Sequence, residues 1–121
     1  YSIHVIKGME YICRHLHQRL TVTEVAAALS VNRSYFSTLF AKETGCSVSQ
    51  YIRQEKLQAA ANMLRFSDYS YADIAEYFGF SSQSHFIQWF QKCYACTPAA
   101  FRKRYFQKTF TVPPTPELSE K

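Results

Sequence analysis

Residues 22–31 read VTEVAAALSV, and residues 71–80 read YADIAEYFGF. Apolar or aromatic residues occupy matching places in the two stretches, 49 positions apart, and each stretch has an alanine at its centre, Ala26 and Ala75. An alanine among larger apolar side chains at helical spacing lets two helices approach closely. Each stretch therefore predicts a short helix that ends in a tight turn, and the chain contains this unit twice.

A longer helix follows each turn. Asn32 is a good cap for the first one, which we expect to end at Gly45 in a left-handed conformation. The second copy has Gly79 where the first has Ser30, and Ala95 where the first has Gly45. A short helix, a turn and a longer helix form a helix-turn-helix unit. The matching positions of the longer helices lie 50 apart and pair Phe36, Phe40, Lys42, Ser47 and Tyr51 with Phe86, Phe90, Lys92, Thr97 and Phe101.

The remaining segments predict further helices. Helical periodicity extends the first helix from Ile3 to about His17–Arg19, which is about four turns. A stretch from Ser47 to about Phe66 has no glycine or proline and predicts a long connecting helix. We expect an all-α fold of about seven helices with two helix-turn-helix subdomains, divided as 1–46 for the first, 47–66 for the linker helix, 67–107 for the second and 108–121 for a flexible tail.

Composition narrows the classes of function. At 121 residues and 47% hydrophobic, the chain can bury one or two small cores. Its net charge of +5 favours an acidic partner, with nucleic acid first and an anionic membrane surface second. No apolar run approaches the roughly 20 residues of a membrane span, and the start lacks a signal-peptide pattern, so we expect a cytoplasmic protein with no membrane association. The start at Tyr1 predicts a piece of a longer protein.

Metal or thiol chemistry has little support in the sequence. Cys93 and Cys96 form a single C-x-x-C pair across a predicted helix exit, which is a weak zinc signal without a second ligand pair. Cys13 and Cys46 lie inside helical patterns, and we expect all four cysteines to be reduced thiols. We therefore predict that the chain is not an enzyme and needs no metal or cofactor.

The outward faces of the two longer helices are the candidate base-reading surfaces, because a helix-turn-helix places its second helix in the major groove. A solvated polar face is the ordinary alternative. Glutamine can bond bidentately to adenine, and the absence of arginine from the second face predicts a preference for A/T pairs there. The candidates are Arg33, Ser34, Ser37 and Thr38 on the first helix and Ser82, Gln83, Ser84, His85 and Gln88 on the second.

Basic side chains near these helices are candidates for phosphate contacts, which orient a protein on DNA without specifying sequence. A linker helix of about 18 residues spans roughly 27 Å, so with its flanking turns it separates the reading helices by about one DNA turn. The chain could then read two successive major-groove segments of bent double-stranded DNA. The alternative is a protein-interaction module that contacts the transcription machinery. The phosphate candidates are Lys42, Arg53, Lys92, Arg102, Lys103 and Arg104.

The second copy resembles the signature segment of the AraC/XylS family of bacterial transcription regulators. The resemblance covers about residues 3 to 105 and includes 73–80, 81–86, 90–92 and 97–102, together with 40–45 and Tyr51-Ile52 of the first copy. Tyr71, Ala95 and Lys56 depart from the usual pattern, in which a smaller aliphatic, a glycine and an arginine are common.

This resemblance implies a seven-helix fold whose third and sixth helices read DNA upstream of promoters, usually to activate transcription. It implies RNA polymerase as a partner and an N-terminal effector-binding or dimerising domain in a longer chain. By matching position it favours a subset of the candidate readers, namely Ser34, Ser37, Thr38, Gln83, Ser84, His85 and Gln88.

Overall fold

The computed structural model describes residues 1–106, and this part of the chain is helical without strands. The expected all-α fold with about seven helices is confirmed. The predicted tail at 108–121 lies outside the described residues. The helices are α1 (Ile3–Arg14), α2 (Val22–Ala28), α3 (Arg33–Thr44), α4 (Val48–Phe66), α5 (Tyr71–Tyr77), α6 (Gln83–Tyr94) and α7 (Pro98–Tyr105).

Short-range hydrogen bonds determine where the helices begin. Thr21 Oγ1 accepts from the Glu24 N–H at 3.1 Å, and the Glu24 carboxylate accepts from the Thr21 N–H at 2.9 Å. Ser47 and Gln50 form the same reciprocal capping box at the start of α4. Each such cap contributes about 1 kcal/mol and satisfies backbone N–H groups that the helix itself leaves free. Single side-chain caps at Asn32, Ser70, Ser82 and Thr97 begin α3, α5, α6 and α7.

Helix α4 forms a shared wall between two hydrophobic cores. Its N-terminal half supplies Val48 and Ile52 to the first core, and its C-terminal half supplies Leu57 and Leu64 to the second. The central alanines pack as their repeated position predicted, with Ala26 in the first core and Ala75 in the second. The other buried members are Val5, Ile12, Val25, Phe36 and Phe40 in the first core, and Ala60, Ala61, Ile74, Phe78, Phe86 and Phe90 in the second.

Helix α1 ends at Arg14, so the expected extension to His17–Arg19 is wrong. His15 leaves the helical conformation at φ −124° and ψ 28°, and the chain turns there. This turn directs Leu16 to a place where it contacts both cores. A local periodic pattern could not show this, because the direction of Leu16 is set by helices that are distant in sequence.

Within residues 1–106, four positions have left-handed backbone conformations, and they are the two pairs of equivalent positions at which only one repeat has glycine. The turns have Ser30 at φ 58° and Gly79 at φ 75°, and the exits of the longer helices have Gly45 at φ 81° and Ala95 at φ 61°. A side chain at a left-handed position costs roughly 1 kcal/mol relative to glycine. In each repeat, one of these two positions is therefore an unstrained glycine and the other is a strained residue with a side chain.

Ala95→Gly is expected to raise the free energy of unfolding by about 1 kcal/mol, because it removes the Cβ from a left-handed residue. Urea denaturation followed by circular dichroism measures the change. Ala41→Gly is the matched control, since Ala41 is exposed inside α3 and glycine there should cost about 1 kcal/mol. A loss of stability at both positions would contradict the assignment of strain to Ala95.

Lys56 connects the two subdomains from the middle of α4. Its side chain is only 6% exposed, and its Nζ donates to the Leu16 carbonyl at 2.9 Å and to the carbonyls of Gln18 and Phe78. Burial lowers the pKa of Lys56 to about 8, and the charge of Arg19 lowers it as well. The first two carbonyls follow α1 and the third follows α5, so one ammonium group fixes the segment after α1 against the turn of the second unit.

Candidate nucleic-acid interface

The first candidate reading surface lies at the start of α3. Phe36 and Phe40 are fully buried beneath it. Ser37 is half-buried. Within residues 1–106, the candidate reader side chains of α3 make no hydrogen bonds to other residues, so their donors and acceptors are free to bond to a ligand. The remaining three predicted readers, Arg33, Ser34 and Thr38, are exposed.

Tyr35, which the sequence analysis did not select, belongs to the same surface. Its side chain is 49% exposed, and its ring packs edge-on against His4 of α1 with centroids 5.7 Å apart. The signal in the sequence was an aromatic residue inside the polar stretch at the start of α3. The contact with His4 fixes one side of α3 against α1.

The second candidate surface, at the start of α6, has the same placement in the second repeat. Phe86 and Phe90 are fully buried below it, at the positions equivalent to Phe36 and Phe40. In the described part of the chain, the exposed side chains of Gln83, Ser84 and Gln88 have no hydrogen-bonded partner, so their amide and hydroxyl groups can bond to base edges.

Two of the predicted readers on α6 already have partners inside the protein. Ser82 caps the helix, and its Oγ accepts from the His85 N–H at 3.0 Å. His85 Nε2 accepts from the Trp89 indole N–H at 2.7 Å. This bond requires the proton of a neutral ring to lie on Nδ1, which is 2.9 Å from Ser81 Oγ and can donate to it. Ser82 and His85 are thus held in place, and base reading by either one stays a prediction.

Trp89 links α6 to the linker helix. The guanidinium carbon of Arg53 lies 3.6 Å from the centre of the indole ring, and Lys92 Nζ lies 4.9 Å from it. A stacked arginine keeps its N–H donors in the plane of the guanidinium group, where they can still bond to an anion. Sequence reasoning selected Arg53 and Lys92 for their charge and missed Trp89, because their shared contact depends on how α4 packs against α6.

The predicted phosphate contacts differ in their surroundings. Lys42, Lys92 and Lys103 are exposed at the ends of α3, α6 and α7. Arg102 is half-buried, with its Nε donating to the Leu64 carbonyl at 3.2 Å and its guanidinium group 5.3 Å from the Tyr71 ring. Arg102 therefore binds a carbonyl of the last turn of α4, which gives it a structural contact whether or not it also meets phosphate.

The helix-turn-helix arrangement has close counterparts among known proteins. A helix-turn-helix domain family matches residues 25–104. The fold superposes on the C-terminal domain of AraT, a response regulator from Geobacillus stearothermophilus, with a TM-score of 0.85 and 28% identity over 92% of this chain and 93% of that chain. The chain belongs to the AraC/XylS family of helix-turn-helix transcription regulators.

Further AraC/XylS relatives agree with this membership. The chain is 37% identical over 111 residues to YbfP of Bacillus subtilis (strain 168), an uncharacterized HTH-type transcriptional regulator. The aligned residues make up 92% of this chain and 37% of YbfP. It is 35% identical over 98 residues to the regulatory protein PocR of Salmonella typhimurium, covering 81% and 32%. The chain thus spans about a third of the length of these curated relatives.

A relative solved with its ligand connects the AraC/XylS fold to DNA. The DNA-binding domain of AdpA, in complex with a target DNA, superposes with a TM-score of 0.80 and 28% identity over 86% of this chain and 94% of that domain. The present chain is an AraC-type DNA-binding domain, and its family consists of transcription regulators rather than enzymes. None of the helices within residues 1–106 is long and apolar enough to cross a membrane.

Proposed function

We propose that α3 and α6 enter two successive major-groove segments on one face of double-stranded DNA, and that this binding activates transcription. The observation that supports the proposal is the same polar, largely partner-free surface at the start of both helices, above equivalent buried phenylalanines. Helix α4 has 19 residues and is about 28 Å long, which suits a separation near one turn of DNA, about 34 Å.

Base reading is assigned to the exposed side chains of the two helices. Gln83 and Gln88 can each bond bidentately to adenine, while the serine and threonine hydroxyls accept several bases. Ser82 and His85 keep the start of α6 in one conformation through their bonds within the helix. The proposed readers on α3 are Arg33, Ser34, Ser37 and Thr38, and those on α6 are Gln83, Ser84 and Gln88. His85 is close enough to the proposed readers of α6 to contact the same DNA.

Phosphate contacts are assigned to the exposed basic side chains that flank these helices. Lys42 and Lys92 occupy equivalent places in the two repeats, and Lys103 lies on α7. Each phosphate that is neutralised releases counterions, so the logarithm of the binding constant should fall by about 0.9 per contact for each tenfold rise in salt. The number of contacts can therefore be counted by titration.

The whole protein is proposed to be longer than this chain and to act in the cytoplasm, where bacterial DNA is accessible. The support is the length of the relatives, of which this chain covers 37% and 32%. We propose that the missing part is an N-terminal effector-binding or dimerising domain, and that RNA polymerase is the partner through which activation occurs.

Selection of bound sequences from a random duplex library with the purified chain should yield two short motifs about one helical turn apart. Ser37→Ala should relax only one motif and Gln83→Ala only the other, each with a loss of about 5- to 100-fold in affinity for the parent site. Gln58→Ala is the matched control, because Gln58 is exposed on α4 and lies beside only the C-terminal end of α6, at Cys93 and Tyr94, away from the proposed base-reading side chains. It should leave both motifs unchanged.

Two outcomes would contradict the proposal. If selection gives no sequence preference and both variants behave as the parent does, the chain is a general anchor rather than a reader. If affinity for DNA does not change between low and moderate salt, phosphate contacts are absent, and a protein-interaction module becomes the better description.

A further inference from the structure

A basic cleft lies where the two subdomains meet. It has a volume of about 370 Å³. Within residues 1–106, no aspartate or glutamate lines it. Its polar lining consists of Arg19 from the segment between α1 and α2, Ser49, Arg53 and Lys56 from α4, and Ser81 and His85 beside the start of α6.

In the part of the chain that the structure describes, the positive charges around this cleft have no acidic partner. Lys56 uses its ammonium group on three carbonyls at the floor. Arg53 stacks its flat face on Trp89 and makes no hydrogen bond within residues 1–106, and Arg19 makes none there either. Arg19 is close enough to help lower the pKa of Lys56. Cations held together without an acid repel each other, and an anion between them removes that repulsion.

The chemistry of the cleft matches a phosphate group. The guanidinium edge of Arg53 and the exposed guanidinium group of Arg19 offer several N–H donors in a planar geometry that suits phosphate oxygens. The hydroxyl groups of Ser49 and Ser81 add short hydrogen-bonding side chains at the rim. Carboxylate ligands fit less well, since two arginines and a buried ammonium favour a group with several charged oxygens.

The position of the cleft identifies the source of the phosphate. Ser81 and His85 place it beside the start of α6, and Arg19 and Ser49 belong to the side of the first subdomain. DNA whose successive major-groove segments hold α3 and α6 must carry its intervening backbone across this junction. We propose that the cleft binds one backbone phosphate between the two segments, an inference that rests on the proposed insertion of both helices.

The test uses the complete chain and its selected DNA site, with each phosphate between the two motifs replaced singly by an uncharged methylphosphonate. The parent should lose about 5- to 20-fold in affinity at one or two adjacent central positions, as expected for a charge-assisted contact of about 1–2 kcal/mol. Arg19→Gln should weaken binding to the unmodified site by a similar factor and reduce the salt slope by about 1. In Arg19→Gln, a methylphosphonate at those central positions should lower the affinity further by less than about 2-fold, because the contact with that phosphate is already lost.

Arg14→Gln is the matched control, since Arg14 is exposed on α1 and lines a separate cleft. It should keep the sensitivity of the parent to central methylphosphonates. If methylphosphonates lower the affinity of Arg19→Gln and of the parent equally at every central position, the inference is overturned, even if the paired motifs persist. Absence of paired motifs from the selection would overturn the proposed function and this inference together.

A free anion is distinguished by a second measurement without DNA. Inorganic phosphate is compared with chloride at equal ionic strength, and the melting temperature is recorded for the parent and for Arg19→Gln. Stabilisation of the parent alone, together with equal methylphosphonate losses in both proteins, would show that the cleft takes a free anion and would overturn its assignment to DNA.

Discussion

Lys56→Met is expected to lower the free energy of unfolding by about 3 kcal/mol. The substitution leaves three carbonyls at the junction, those of Leu16, Gln18 and Phe78, without their shared donor at a largely buried position. The desolvation cost that lowers the pKa of Lys56 is recovered, so the loss is smaller than three full hydrogen bonds would give. Urea denaturation followed by circular dichroism measures it.

The tryptophan fluorescence of the same samples shows where the effect acts. Trp89 is the single tryptophan of the chain and lies on α6, so its signal reports on the second subdomain. In the parent, the fluorescence and circular dichroism transitions should coincide, and in Lys56→Met they should separate because the subdomains no longer share the ammonium contact. Lys7→Met is the matched control on an exposed face of α1 and should change stability by less than about 0.5 kcal/mol. A loss below about 1 kcal/mol in Lys56→Met would contradict the role of Lys56 as the connection.

Phe90→Ala is expected to cost about 4 kcal/mol, the largest effect of a single substitution that we predict. Phe90 is fully buried and lies among aromatic rings of α6 and α7. Its ring stacks on Tyr94 at 4.6 Å and meets Phe101 edge-on at 5.3 Å. Removing the ring leaves a cavity between α6 and α7, and its cost is a large fraction of the roughly 5–15 kcal/mol by which a folded domain is stable.

Chemical denaturation of Phe90→Ala and of two comparison variants checks this value. Phe40→Ala removes the equivalent ring of the first repeat and should cost a similar amount, since Phe40 is also fully buried. Phe106→Ala is the matched control at a residue that is 37% exposed, and it should cost less than about 1 kcal/mol. A cost below about 2 kcal/mol for Phe90→Ala would show that the second core rearranges to fill the space.

The sequence by itself determined the features that depend on neighbours a few residues away. Repeated spacing identified the two helix-turn-helix units, and cap residues such as Asn32 and Ser47 marked where helices begin. Alignment of the repeats also paired Ser30 with Gly79 and Ala95 with Gly45, and the structure shows that all four residues are left-handed. These features follow from backbone hydrogen bonding and helical periodicity, which act over one or two turns and leave a direct record in the order of residues.

The tertiary structure alone decided which of the charged candidates already contact distant groups within the protein. Arg102 matched the pattern of contact residues, yet its Nε donates to a carbonyl of α4. The early end of α1, the three carbonyls around Lys56 and the stacking of Arg53 on Trp89 were equally outside the reach of local pattern. The contacts of Lys56, Arg53 and Arg102 join residues that are 22 to 40 positions apart. Burial and partner geometry at such distances follow from how the helices pack around α4, which is a property of the whole fold.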